Sequence, residues 1–364
     1  MKLARTAPGQ RGLSLVEVLV SLFIGMLTVL AVVNLMSMVS ARQRAVRAVD
    51  DAQMNALLGL DYMMQDLRMA GLGLSINELQ SCTSLFTYFG PSTASTPASI
   101  ADFSTAAVTI ADGGSGPDTI IVRFAEGVRG IRPANLVGDM ASPTANLVVD
   151  SPFGFRTNDL VMVVNSSGQC ALRQITGAIP SSAPYTLAAA SSGAATYNPP
   201  SAVAGGTPTW PTFLGATVGA RVYGLGSFTH HRYAVTATGL VMRNLNASTD
   251  TPVAADIVDL QVQYGVSASS GSGTITQWVN ATGAWAAPSL SDRKRIRAVR
   301  VALVARGTER SLDDVSPASL ELWPAAASGQ TSGAQTFAVP DRKLRYRVLR
   351  SVIPMKNMLW SDLS

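Results

Sequence analysis

Between Leu13 and Val39 the chain runs for roughly 27 residues with a single charge, Glu17, enough for a helix to cross a bilayer. A carboxylate inside such a segment costs on the order of 2.5–3.5 kcal/mol, so it calls for a positive partner at the same depth. Lys2, Arg5 and Arg11 stand upstream, and Gly12 marks the boundary between the basic and apolar parts. A cut after Gly12 releases a new α-amino group four residues before Glu17. An ordinary secretory signal places a small-residue cleavage site after the apolar stretch. Here that stretch ends in Asn34-Leu35-Met36-Ser37-Met38-Val39-Ser40-Ala41-Arg42, a poor match to that pattern. A plain signal anchor shares the flank and the span but has no use for Glu17.

The order of basic leader, glycine, apolar start and glutamate at the fifth position after the glycine resembles the class III signal of type IV pilins and pseudopilins. That resemblance implies cleavage by a prepilin peptidase between Gly12 and Leu13, N-methylation at Leu13, and an assembly role for Glu17. Arg42, Arg44 and Arg47 after the span offset the three upstream cations, which leaves orientation nearly balanced by charge alone. The resemblance implies a leader in the cytoplasm and the remainder outside the inner membrane.

No proline lies between Pro8 and Pro91, so nothing breaks the helix through this region. Beyond the span, Val46, Val49, Gln53, Ala56, Leu60, Met63, Leu67 and Ala70 recur in steps of three and four. Arg42, Arg47, Asp50, Asp51, Asp61, Gln65 and Arg68 occupy the other side. That pattern predicts an amphipathic helix with one face to pack. Gly71 and Gly73 provide a stop, giving a helix from Leu13 to Ala70 of about 85 Å. The expected organisation is a leader over 1–12, a transmembrane or filament-core helix over 13–39, an amphipathic stem over 40–72 and a β-rich head with long loops over 73–364.

In the head the period changes to two. Thr119–Phe124, Leu160–Val164, Cys170–Ile175, Arg232–Thr236, Leu240–Asn244, Ile257–Val266, Ile296–Arg306 and Leu344–Val352 read as strands. Two hairpins are expected, across 165–168 and 237–239. Segments 90–118, 178–212 and 267–290 are rich in small residues and turn formers and read as long surface loops. The fold class is α+β, a long N-terminal helix packed on a mainly antiparallel sheet.

Composition fits an exported, loop-heavy domain rather than a cytosolic enzyme: only 14% of residues are charged. The formal charge of +5 shrinks when the leader is removed, so basicity alone does not argue for nucleic acid. Cys82 and Cys170 are the two cysteines. In the oxidising compartment that the export signal implies they can form a disulfide closing about 88 residues, worth about 4–5 kcal/mol in the chain-entropy model. The alternative is two unpaired buried thiols.

No catalytic constellation and no cofactor or metal site is visible. His230 and His231 are the two histidines, and neighbours on a strand point to opposite faces. Asp112 to Asp118 lacks the spacing of a calcium loop and reads as a simple turn. A phosphate-binding P-loop is missing, which excludes an assembly ATPase. Two basic clusters, Arg293-Lys294-Arg295 with Arg297 and Arg300, and Arg342-Lys343 with Arg345, Arg347 and Arg350, admit two readings. One is a patch for DNA or an acidic partner. The favoured one is solvated strand faces paired with carboxylates such as Asp313, Asp314 and Glu321, which makes a nucleic-acid partner unlikely.

Four stretches carry a narrower resemblance: 116–124 (GPDTIIVRF), 258–266 (VDLQVQYGV) followed by Trp278 and Trp285, 297–306 (RAVRVALVAR) and 346–357 (YRVLRSVIPMKN). Together they resemble the PilW-type minor pilins of type IV pilus systems. Leu13 where many major pilins have phenylalanine, the lack of a mid-stem proline and the length point to a low-copy minor subunit. The resemblance implies, as partners, the prepilin peptidase, other minor pilins, the major pilin and the inner membrane. It also implies a place at the pilus tip. The minor pseudopilin J of type II secretion and a DNA-uptake or adhesion pilin remain the alternatives.

Overall fold

The computed structural model describes residues 14–74, 77–91, 100, 102–126, 132–142, 144–191, 197–200, 219–324 and 335–359. Helix α1 (Leu15–Met69) is unbroken over 55 residues. Every residue from Ser14 to Ser40 on it is exposed. Within this half the hydroxyls of Ser21, Thr28 and Ser37 donate to the carbonyls of Val18, Gly25 and Asn34 at 3.0, 2.8 and 2.8 Å. Their polarity is thus satisfied inside the helix, as an apolar surrounding requires.

The head is built from eighteen described strands. In chain order these begin with β1 (Ser84–Phe86), β2 (Val108–Ala111), β3 (Thr119–Ala125), β4 (Ala134–Asn135), β5 (Leu147–Val149) and β6 (Leu160–Val164). They continue with β7 (Gln169–Gln174), β8 (Tyr185–Leu187), β9 (Arg221–Gly226), β10 (Phe228–Thr236), β11 (Gly239–Asn244) and β12 (Thr249–Ala255). The last six are β13 (Ile257–Ser267), β14 (Ile275–Val279), β15 (Ile296–Arg306), β16 (Ser319–Trp323), β17 (Gln335–Ala338) and β18 (Tyr346–Pro354). Three larger sheets result, in the orders β1-β7-β6-β9-β4, β12-β11-β10-β3-β2 and β14-β13-β15-β18, with β16-β17 and β5-β8 as ribbons. Only the β1–β7 pair is parallel among the described strands. The architecture is α+β with a mostly antiparallel head.

The second half of α1 lies across the second and third sheets. Ala52, Ala56, Leu60, Met63 and Leu67 pack against Ile120, Tyr233, Leu240, Leu260, Val301 and Leu303 in one continuous core. The contact face corrects the expected register. Ala48, Ala52 and Ala56 are buried, Val46 and Gln53 are exposed, and Val49 is half-buried. Small residues allow a close approach that valine does not: a Cβ built on Gly59 would sit 3.1 Å from Leu240 Cδ2 and 3.3 Å from Ala254 Cβ. From Ala56 to Ala70 the expected stripe and the buried face coincide.

Several expected loops contain strands. β2 falls within 90–118, β8 within 178–212 and β14 within 267–290. The C-terminal strand starts at Tyr346 rather than Leu344 because Leu344 closes a turn, its N–H donating to Asp341 O at 3.1 Å. The hairpin between β10 and β11 turns on Ala237-Thr238, with Thr236 opposite Gly239. Gly239 has φ 125°, and a Cβ there would meet Ala254 O at 2.2 Å, so only glycine fits.

Candidate functional site: the apolar helix and its junction with the head

Gly12 and Leu13, the expected processing site, and Lys2, Arg5 and Arg11 lie outside the described residues. Glu17 sits in the first turn of α1, on an exposed surface. Between Leu15 and Val39 eighteen large apolar side chains are 45–77% exposed. At about 1.5–3 kcal/mol for full burial of each, the half-exposed set leaves on the order of 20–30 kcal/mol unrealised in water. The helix is long and apolar enough to cross a membrane by length and composition. Something apolar must cover it.

The other half of α1 is fastened to the head by polar contacts as well as packing. Asp66 Oδ2 accepts from Tyr233 Oη at 2.5 Å and is bonded to His231 Nδ1 at 2.7 Å. Burial, followed by the Asp66 charge, pushes the Tyr233 phenol far above its ordinary pKa, so it remains a donor. Ser351 Oγ donates to Met64 Sδ at 3.5 Å. At the helix end, where carbonyls lack internal partners, Asn357 Nδ2 reaches the carbonyls of Arg68, Met69 and Ala70 at 3.3, 3.1 and 3.3 Å. Gly71, at φ 81°, turns the chain so that its N–H meets Arg123 O at 2.9 Å on β3. Nearer the apolar half, Arg44 Nε lies 3.3 Å from Glu309 Oε1. A groove of about 660 Å³ runs there between Arg42, Val46 and Val49 of the helix and Leu320, Arg345 and Arg347 of the head.

The remaining residues singled out in the sequence are placed as follows. Cys82 and Cys170 are joined by a disulfide with Cα atoms 5.7 Å apart, tying the 81–83 segment to the β6–β7 hairpin. His230 and His231 point to opposite faces. His231 meets the helix, and His230 is buried on the far side, accepting from Arg123 Nε at 3.2 Å. Among the described residues no group of His, Cys, Asp and Glu is arranged to hold a metal ion. Asp112 and Asp118 organise a turn: Asp112 Oδ1 accepts from Gly114 N at 2.7 Å and Asp118 Oδ1 from Gly113 N at 2.8 Å. Asp118 Oδ2 also accepts from Val262 N at 2.8 Å, bridging β3 to β13.

The first basic cluster differs from the expectation of solvated faces, whereas in the second Arg342, Arg347 and Arg350 are exposed as expected. Arg300 is buried between the rings of Trp278 and Trp323, at 4.8 and 4.4 Å from their centroids, and donates to Gln263 Oε1 at 2.6 Å. Arg297 is buried and donates to the carbonyls of Ser270 and Ser272. Arg295 bonds Asp292 at 3.2 Å and lies over Trp285. Arg342 pairs with Asp314 at 2.9 Å, while Arg350 donates to the carbonyl of Glu321 and not to its carboxylate. Guanidinium groups bury their planar faces against indoles more readily than a simple charge count suggests. Arg297 and Arg300 serve the head's own packing, which weakens the case for a DNA patch on the first cluster. Asp66, Tyr233 and Asn357 were not anticipated. The lone charges of Arg123 in β3 and Arg173 in β7 were the sequence signals of buried networks.

Residues 227–357 match the family of type IV pilus-assembly protein W, PilW, and residues 8–33 match the prokaryotic N-terminal methylation motif. No curated protein and no solved structure gives a match. The first match covers β10 to the C-terminal turn, the part of the head against which the stem is fastened; the second covers the leader boundary, Glu17 and the start of the apolar helix. The two matches, together with the long apolar helix, support a PilW-type pilin with a class III signal.

Proposed function

We propose that this chain is a minor pilin, cut by prepilin peptidase between Gly12 and Leu13, N-methylated at Leu13, and used with other minor pilins to initiate or cap the filament tip. Before assembly, residues 13–39 hold it in the inner membrane with the head in the periplasm. The observation that supports this most directly is the division of one continuous helix. Its first half is apolar and uncovered, and its second half is tied to the head.

Leaving lipid requires another apolar surrounding, and neighbouring stems supply it. In that setting Glu17 neutralises the α-ammonium of Leu13 on an adjacent subunit and fixes axial register. N-terminal mass spectrometry of the mature protein tests the processing step. A chain starting at methylated Leu13 is expected, and one that keeps Gly12 overturns it. Replacing Gly12 with a bulky residue should leave the precursor at full length. Isolation with pilus subunits is expected; isolation with secretion pseudopilins instead would move the chain to the other machinery.

A further inference from the structure

A cleft of about 720 Å³ opens between the β2–β3 pair and the 286–293 segment. Its walls include Phe103, Val108, Ile121 and Pro288, and three arginines line it: Arg123, Arg232 and Arg293. Arg123 is buried, yet all of its partners are neutral. Nε donates to His230 Nε2 at 3.2 Å, Nη1 to Ala106 O at 3.1 Å and Thr109 Oγ1 at 2.8 Å, and Nη2 to Asp102 O at 2.5 Å. His230 does not balance it, since burial and then the Arg123 charge push its pKa down to about 3. The one carboxylate lining the cleft, Asp102, is paired with Arg232. Arg293 has no ion pair among the described residues, and its buried Nε finds no hydrogen-bond partner. Three cations thus share one anion at the cleft, Arg123 buried at its floor and Arg232 and Arg293 only partly buried at its mouth.

We propose that this cleft is a docking site for a carboxylate of a partner protein, an Asp or Glu side chain on the head of a neighbouring subunit that enters beside Arg293 and Arg232. Planar guanidinium forks can match a carboxylate bidentately, and Arg232 Nη2 already contacts the Asp102 carboxylate within the cleft. The apolar walls suit the stem of an acidic side chain. A nucleic acid is less well served. The aromatic ring at the cleft, Phe103, already packs on Phe228 and His230 with centroids 4.9 and 5.9 Å away. The choice of a subunit as partner rests on the assembly reading, whereas the site itself does not.

The test uses the full chain in detergent micelles and calorimetric titration with N-acetylated hexaglutamate, its hexaglutamine counterpart, inorganic phosphate and a duplex oligonucleotide. Hexaglutamate should bind and hexaglutamine should not. Arg293→Gln should weaken hexaglutamate binding by about tenfold or more, the scale of one lost charged hydrogen bond. Arg345→Gln, in the groove beside Arg42, should leave it unchanged. No binding of hexaglutamate, or equal loss in both variants, overturns the site. Tighter binding of phosphate or duplex than of hexaglutamate overturns the protein carboxylate as its ligand. Arg293-dependent binding in a chain that is never cut after Gly12 keeps the site and removes the assembly reading.

Discussion

Asp66 is the most exposed test of how the stem is held. Its Oδ2 takes two contacts from the sheet, Tyr233 Oη at 2.5 Å and His231 Nδ1 at 2.7 Å, with side chains 15% and 19% exposed for Asp66 and His231. Asp66→Ala removes both and leaves the fully buried Tyr233 hydroxyl without its acceptor. Hydrogen bonds to a charged group are worth about 1.5–3 kcal/mol, and an orphaned buried hydroxyl costs about 1–3 kcal/mol, so a total near 3 kcal/mol is expected after allowing for partial exposure. Tyr233→Phe alone should cost about 1.5 kcal/mol. In the Asp66→Ala background the same change removes the orphaned hydroxyl, so it should be neutral or regain about 1 kcal/mol or more. The coupling is therefore at least about 1.5 kcal/mol. Urea unfolding of the full chain in micelles, followed by tryptophan fluorescence, measures the four corners. Hydrogen exchange over residues 60–70 should rise in Asp66→Ala before any change in the β6–β7 hairpin. Additive costs, within about 0.3 kcal/mol, would refute the shared contact.

Replacing Cys82 and Cys170 together by serine should lower stability by about 4–5 kcal/mol in the chain-entropy model, read from the shift of the denaturation midpoint, with no change if the bond carries no constraint. Gly59→Val forces a side chain against Leu240 and Ala254 and should cost about 1–3 kcal/mol; a neutral result would mean that helix and sheet separate freely there. Arg300→Lys should lose the stacking between Trp278 and Trp323, costing about 1–2 kcal/mol and altering tryptophan emission, and unchanged emission would contradict the geometry. The pH dependence of melting has two opposed contributors. His230 has its pKa lowered to about 3 by burial, then by the Arg123 charge, so its contribution is complete above its ordinary 6.5 and drains as pH falls toward 3. Burial raises Asp118 to about 6, so its contribution is complete below 3.8 and is lost as pH rises through 6. His230→Gln should flatten the acid side of the melting profile between those limits, and an unchanged slope would contradict this assignment.

The parts of the fold that could be read in advance are those where side-chain period is strong. β3, the β6–β7 hairpin, β13 and β15 carry long β-branched or alternating runs, and they form the centres of their sheets. β12 carries Pro252 and an exposed surface because it is an edge strand, so its sequence resembles a loop. β9 contains Gly224, where a Cβ would make only ordinary contact with Phe155 at 3.5 Å, so the glycine made the strand look like a turn without being required there. In the stem, ranking positions by hydrophobicity favoured Val46 and Val49 over Ala48 and Ala52. The helix approaches the sheet too closely for the larger residues, and that distance is a property of the tertiary structure. The Asp66 contact was illegible for a similar reason: its partners lie more than 160 residues away. Arg297 and Arg300 read as solvent charges because the indoles that enclose Arg300 and the carbonyls that receive Arg297 come from other segments.

On the assembly reading, the apolar half of α1 gains little by moving from lipid to a bundle of stems, since both surroundings are apolar and the transfer of leucine or valine between them is nearly neutral. The discriminating term is then the one charge. Held in lipid without a partner, Glu17 costs on the order of 2.5–3.5 kcal/mol, and paired with an ammonium in the filament it is relieved of most of that cost. Relief of about 2.5 kcal/mol biases the partition toward the filament by nearly a hundredfold. Glu17→Leu abolishes both the cost in lipid and the relief, so it should still be trimmed but should remain in the membrane. The ratio of sheared-pilus to membrane-bound subunit should fall by one to two orders of magnitude, about the size of the lost bias. Because Asp66 and the core ties fasten stem to head, Asp66→Ala should leave that ratio nearly unchanged while loosening the head. A Glu17→Leu chain that enters pili at the wild-type ratio would mean that apolar packing alone selects the filament, and the intramembrane acid would then need another explanation.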